Sequence, residues 1–143
     1  MRNRQRGVTL IELLTVVVVV AILASVAIPS YRRYLIRAQR SDATTMLLRV
    51  ATAEEKRYLQ LGAYTSNLAT TPPSGLGLST RSDQGFYDLD VTLTSTGFTA
   101  RARPVTGGGQ ASDTNCASFT VTETGTRKAL SSGSVDKTAE CWR

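Results

Sequence analysis

Glu12 is the residue in this chain whose type and position most demand a chemical explanation. It is the only charged residue among the 21 from Val8 to Ile28. An ionisable group inside a membrane-length apolar segment costs a few kcal/mol and calls for a partner. Three arginines, Arg2, Arg4 and Arg6, precede Gly7. Cleavage after Gly7 would give Val8 a free α-amine, four residues from Glu12 on one helix. Between neighbouring helices the same charge pair would fix their stagger.

Other chemistry is sparse. There is no histidine, which removes the usual general base. Gly107-Gly108-Gly109 lacks the Lys-Ser/Thr of a phosphate-binding loop. Asp88 and Asp90 share one solvated strand face and read as surface charge. With two distant cysteines and no histidine, a zinc site lacks ligands. No catalytic, cofactor or metal site is expected. Cys116 and Cys141 are 25 positions apart and read as a disulfide made in an oxidising compartment. Arg101 and Arg103 alternate onto one face of a strand, with Arg127, Lys128 and Lys137 nearby in sequence. These form a candidate phosphate-contacting cluster, Arg101, Arg103, Arg127 and Lys128. A solvated strand face explains the same residues.

The elements that must position these residues are legible. Val8–Ile28 as a helix is roughly 30 Å long, the thickness of a hydrocarbon core. Its valines would suit a strand in water. In lipid, a helix satisfies its own backbone within one segment. After Pro29 the pattern stays helical and becomes amphipathic, with Ile36, Ala43, Met46, Leu47, Val50, Ala53, Tyr58 and Leu61 forming a stripe. Arg37, Arg40, Arg49, Glu55 and Lys56 mostly fall elsewhere on its surface. One helix is expected over 8 to 61, kinked at Pro29 and stopped at Gly62.

Residues 62 to 85 read as a loop with a breaker cluster at Thr70–Gly75, pinned by Tyr64 and Leu68. Strands follow at Phe86–Leu93, Phe98–Arg103, Cys116–Thr122 and near Thr126–Leu130. Gly107-Gly108-Gly109 reads as a mobile linker between the second and third. The expected fold is α+β: a long N-terminal helix packed on a small antiparallel sheet of three or four strands.

Net charge is +6, but its distribution matters. Residues 30 to 61 hold seven basic and three acidic groups, whereas residues 62 to 143 hold seven of each. The head is therefore neutral, which weakens a nucleic-acid reading of the high pI. Arginines stand on both sides of the apolar run, so flanking charge leaves orientation open. A secretory signal peptide, cut near Ser25-Val26-Ala27, also has a basic start. Glu12 and the 21-residue length argue against it. An ordinary single-span anchor explains the length but not Gly-x-x-x-x-Glu.

Gly7-Val8-Thr9-Leu10-Ile11-Glu12 resembles the class III signal of type IV pilins and pseudopilins. The resemblance implies a prepilin peptidase cutting between Gly7 and Val8, and N-methylation of Val8. Glu12 becomes the assembly carboxylate paired with the Val8 amine. Pro29 stands where the family has its helix-interrupting proline. Val8 replaces the usual Phe, and Ala21 stands where the family often has Gly. Arg57-Tyr58, Gly62-x-Tyr64-Thr65 and the ending Cys116…Gly125…Cys141-Trp142-Arg143 are similar to PilE-type minor pilins and ComP-like DNA-uptake pilins.

That resemblance implies four segments: a cleaved leader 1–7, a membrane and assembly helix 8–29, its amphipathic half 30–61, and a head 62–143. It implies a minor pilin that helps prime a type IV pilus. Its partners would be other pilins, the peptidase, an inner-membrane assembly platform, a tip adhesin and, on weaker grounds, nucleic acid. The subunit would wait in the inner membrane with its head in the periplasm, then join an extracellular pilus. A major pilin, a DNA-binding competence pilin and a type II secretion pseudopilin remain as alternatives.

Overall fold

A computed structural model describes residues 8–142. Arg2, Arg4, Arg6, Gly7 and Arg143 lie outside the described residues. The chain divides into two compact units, one ending at Leu35 and the other beginning at Ile36.

The first unit is the start of helix α1 (Leu10–Leu61). Thr9 and Glu12 form a reciprocal cap: the Glu12 N–H donates to Thr9 Oγ1 at 3.3 Å and the Thr9 N–H to Glu12 Oε2 at 3.5 Å. This is the S/T-x-x-E capping box, which satisfies two otherwise orphaned backbone donors. The apolar window has a mean hydropathy of 2.8 and none of it is buried within the chain. Pro29 lies inside the helix, and its missing N–H removes one rung of the ladder.

In the second unit the rest of α1 packs on the sheet. Ala43, Met46, Leu47 and Val50 are fully buried, as the stripe predicts, whereas Tyr58 and Leu61 are 45% and 50% exposed. The helix stops at Gly62, which takes φ +69° and donates its N–H to Tyr58 O, a left-handed stop that favours glycine. Strands β1 (Tyr87–Leu93), β2 (Phe98–Pro104), β3 (Ser118–Thr122) and β4 (Arg127–Leu130) form an antiparallel meander in sequence order. Strict alternation sends Tyr87, Leu89, Val91, Phe98, Ala100, Ala102, Phe119, Val121 and Ala129 into the core with the helix stripe. The fold is thus the expected α+β arrangement.

Three local expectations need correction. First, β3 begins at Ser118 rather than Cys116, because Cys116 is buried at the disulfide to Cys141 (Cα–Cα 5.9 Å). Second, the triple-glycine segment is not a bare linker. It leads into a 3-10 helix, Gly109–Ser112, that buries Gln110. Third, Arg40 does not lie on the surface. It is 8% exposed and forms a two-pronged pair with Asp113, Nε–Oδ2 2.7 Å and Nη2–Oδ1 2.9 Å. Gln110 Nε2 completes this cluster by donating to Tyr87 Oη and to Ile36 O. A short helix α2 (Thr138–Cys141) closes the chain's C-terminal region.

Candidate functional site

Two surfaces carry the sequence's candidate residues, one in each unit.

The first is the exposed helix. Val8, Leu10, Ile11, Val16, Ile22 and Val26 are all more than half exposed. Apolar residues cover every side of this segment, so no single face is set aside for a folded core. Glu12 is seated among them, held by the cap with Thr9. Sequence reasoning treats Glu12 only as half of a charge pair with Val8. It misses the cap, although the signal, Thr-x-x-Glu, is present. The peptidase cut, the Val8 methyl group and the Glu12–Val8 pair remain proposals.

The second surface is the outer face of the sheet. Register places Asp90 opposite Arg101, Arg101 opposite Thr120, and Thr120 opposite Lys128. Directly opposed residues share a face, so these four make one row. Asp88 and Arg103 are opposed in the next row. The structure therefore brings Arg101, Arg103 and Lys128 onto one face. Arg127 falls on the other side, as alternation requires. Its guanidinium stacks over the Trp142 ring, 5.4 Å from the centroid, and it lies opposite buried Val121.

Not every outer cation is free. Arg103 is paired with Asp90 at 2.9 Å. Arg81, from the segment before β1, bridges to that strand at Asp88 and bonds its carboxylate at 3.1 Å. No local sequence signal marks that return of the loop to the strand. Among the described residues, Arg101 and Lys128 make no ion pair. Asp136 is held below the usual carboxylate range chiefly by its hydrogen bonds with Thr138, with a smaller contribution from the Lys128 charge. The face therefore combines four cations, Arg81, Arg101, Arg103 and Lys128, with three carboxylates, Asp88, Asp90 and Asp136, and carries a small positive excess that the head as a whole lacks.

Below the sheet, Glu54 is fully buried and accepts the Thr65 N–H at 3.1 Å. Burial pushes its carboxyl above the usual range, against the lowering effect of that hydrogen bond. Asp42 accepts from Ser82 Oγ and the Gln84 N–H, and Ser82 Oγ in turn accepts the Tyr87 N–H. These groups tie the helix to the loop before β1. No group of three or more Cys, Asp or Glu able to hold a metal occurs among the described residues.

Comparison with known proteins identifies the family. Residues 29–120 match a family described as type IV minor pilin ComP, DNA uptake sequence receptor, and residues 2–28 match the prokaryotic N-terminal methylation motif. The chain is 35% identical over 103 residues to the type IV major pilin protein PilE1 of Neisseria gonorrhoeae, covering 72% of this chain and 46% of that protein. It is 36% identical over 101 residues to the type IV major fimbrial protein FimA of Dichelobacter nodosus, covering 64% and 65%. A fimbrial protein of Neisseria meningitidis is 43% identical over 67 residues, 47% of this chain and 39% of that protein. The chain spans about half the length of the curated relatives it matches. A capped apolar helix, a four-stranded meander with one disulfide, and a family match across most of their length together place this chain in the type IV pilin family, among its ComP-like members.

Proposed function

We propose that this chain is a minor pilin that helps prime a type IV pilus, is incorporated into the fibre, and presents a head that binds duplex DNA. The observation that carries the assembly half is the exposed apolar helix with one capped carboxylate. Exposed apolar surface of that extent needs lipid before assembly and other helices after it. The subunit then belongs in the inner membrane with its head in the periplasm, and afterwards in the extracellular fibre. A peptidase cutting after Gly7 and an assembly platform handle it, and a tip adhesin joins it. Segments 1–7, 8–29, 30–61 and 62–143 are the leader, the assembly helix, its amphipathic half and the head.

The DNA half is supported by the family's description and by the unpaired cations Arg101 and Lys128. Phosphate contact releases counterions, so binding weakens steeply with salt. The test is binding of the full chain in detergent to duplex DNA across a salt series. Arg101→Gln with Lys128→Gln is expected to weaken binding. It should also lower the log–log salt slope by about 0.9 for each phosphate that the protein no longer neutralises. An unchanged slope would remove these residues from the interface. Dominance of this chain in sheared fibres would make it a major pilin.

A further inference from the structure

We propose that Tyr31, Arg32, Arg33 and Tyr34 form a girdle around the helix that binds the headgroups of anionic phospholipid. The proposal rests on the reading of the apolar helix as a membrane anchor. All four residues are exposed, and the two tyrosines are each 62% exposed. The apolar run ends at Ile28. At about 1.5 Å per residue, Tyr31 then stands roughly 5 Å beyond it, at headgroup depth. Tyr31 and Tyr34 are three apart and share one side of the helix. An aromatic ring with a polar tip suits that interface, where one end is apolar and the other wet.

The two arginines supply the specificity. The nearest acidic residues in sequence are Glu12 on one side and Asp42 on the other. Neither arginine has an ion pair among the described residues. No carboxylate lies within four positions of either, so the helix offers no internal counter-charge. Arg32 and Arg33 are adjacent and therefore diverge by about 100° around the axis. They address lipids on different sides, as a girdle must, and guanidinium matches a phosphate oxygen pair geometrically. An anionic lipid adds net charge to that match, which a zwitterionic lipid does not.

The experiment uses the full chain in phosphatidylcholine vesicles, with spin-labelled phosphatidylglycerol or phosphatidylcholine as tracer. Electron spin resonance reads how much of each lipid is motionally restricted by the protein. The native chain is expected to favour phosphatidylglycerol by about fivefold for each arginine at low salt, falling as salt is raised. Arg32→Gln with Arg33→Gln should cut that preference severalfold while leaving the total restricted lipid unchanged, the remainder being due to Arg2, Arg4 and Arg6 at the other end of the apolar run. Arg32→Lys with Arg33→Lys should keep a preference. Equal preference in the native and glutamine chains would overturn the girdle while leaving the anchor intact. Absence of any restricted lipid would overturn the girdle together with the anchor.

Discussion

Glu12 has one observed job and one proposed job, which a substitution can separate. Its carboxylate caps the helix through Thr9, and under the proposed assembly its charge would pair with a neighbouring Val8 amine. Glu12→Gln keeps an oxygen for the Thr9 N–H and removes the charge, whereas Glu12→Ala removes both. If charge governs assembly, both variants insert and both fail to enter fibres, as read by quantifying the chain in sheared pili. Normal incorporation of Glu12→Gln would assign the residue to capping instead. Arg40 and Asp113 make a second residue-scale case. Removing one member of a buried pair leaves the other charge without compensation, so Arg40→Met should lower unfolding free energy by about 3–5 kcal/mol. Arg40→Met with Asp113→Leu should recover much of that loss, measured by denaturant unfolding.

At the scale of elements, the join between helix and loop depends on pH through Glu54. Its folded pKa is raised, mainly by burial. The folded state therefore holds the proton at pH values where the unfolded chain has released it, and stability falls as pH rises through that interval. The contribution is most favourable below the ordinary carboxylate range and is lost above the raised value. Glu54→Gln should flatten this slope, giving a higher midpoint than the native chain near pH 7 and convergence near pH 4, as followed by thermal unfolding monitored with circular dichroism. Gly62 ends the same element at φ +69° with open space beside it. Gly62→Ala should cost about 1 kcal/mol from backbone strain alone.

For the whole molecule, the decisive constraint is the Cys116–Cys141 bond, which ties the segment just before β3 to α2. Closing a loop of that length stabilises by roughly 3–4 kcal/mol. Cys116→Ser with Cys141→Ser should lower the melting temperature by about 10 °C, and reduction of the native chain should do the same. The head needs this staple because its sheet has only four strands. Its core is completed by one face of the second half of α1. The proposed DNA binding fits this scale too. A neutral head with a locally positive sheet face would meet DNA while most of its surface stays unattractive to phosphate.

Much is readable without coordinates, for reasons that are local. The long helix follows from hydropathy and a 3.6-residue period. Its stop follows from Gly62, and three of the strands follow from alternation, with the fourth placed only roughly. Each is decided by residues within a few positions of one another. The cysteine pair is also legible, since two thiols allow only one bond. Tertiary structure alone decided which polar residues the core would accept. Arg40 reads as surface until the 3-10 turn brings Asp113 and Gln110 to it from about 70 positions away. Likewise, Arg101, Arg103, Arg127 and Lys128 look like one cluster in sequence. Strand register joins Lys128 to Arg101 across Thr120, turns Arg127 to Trp142, and lets Asp90 take Arg103. A shift of one residue in that register would reverse the assignment, because side chains alternate with period two and the partner strand, not the local sequence, sets the phase.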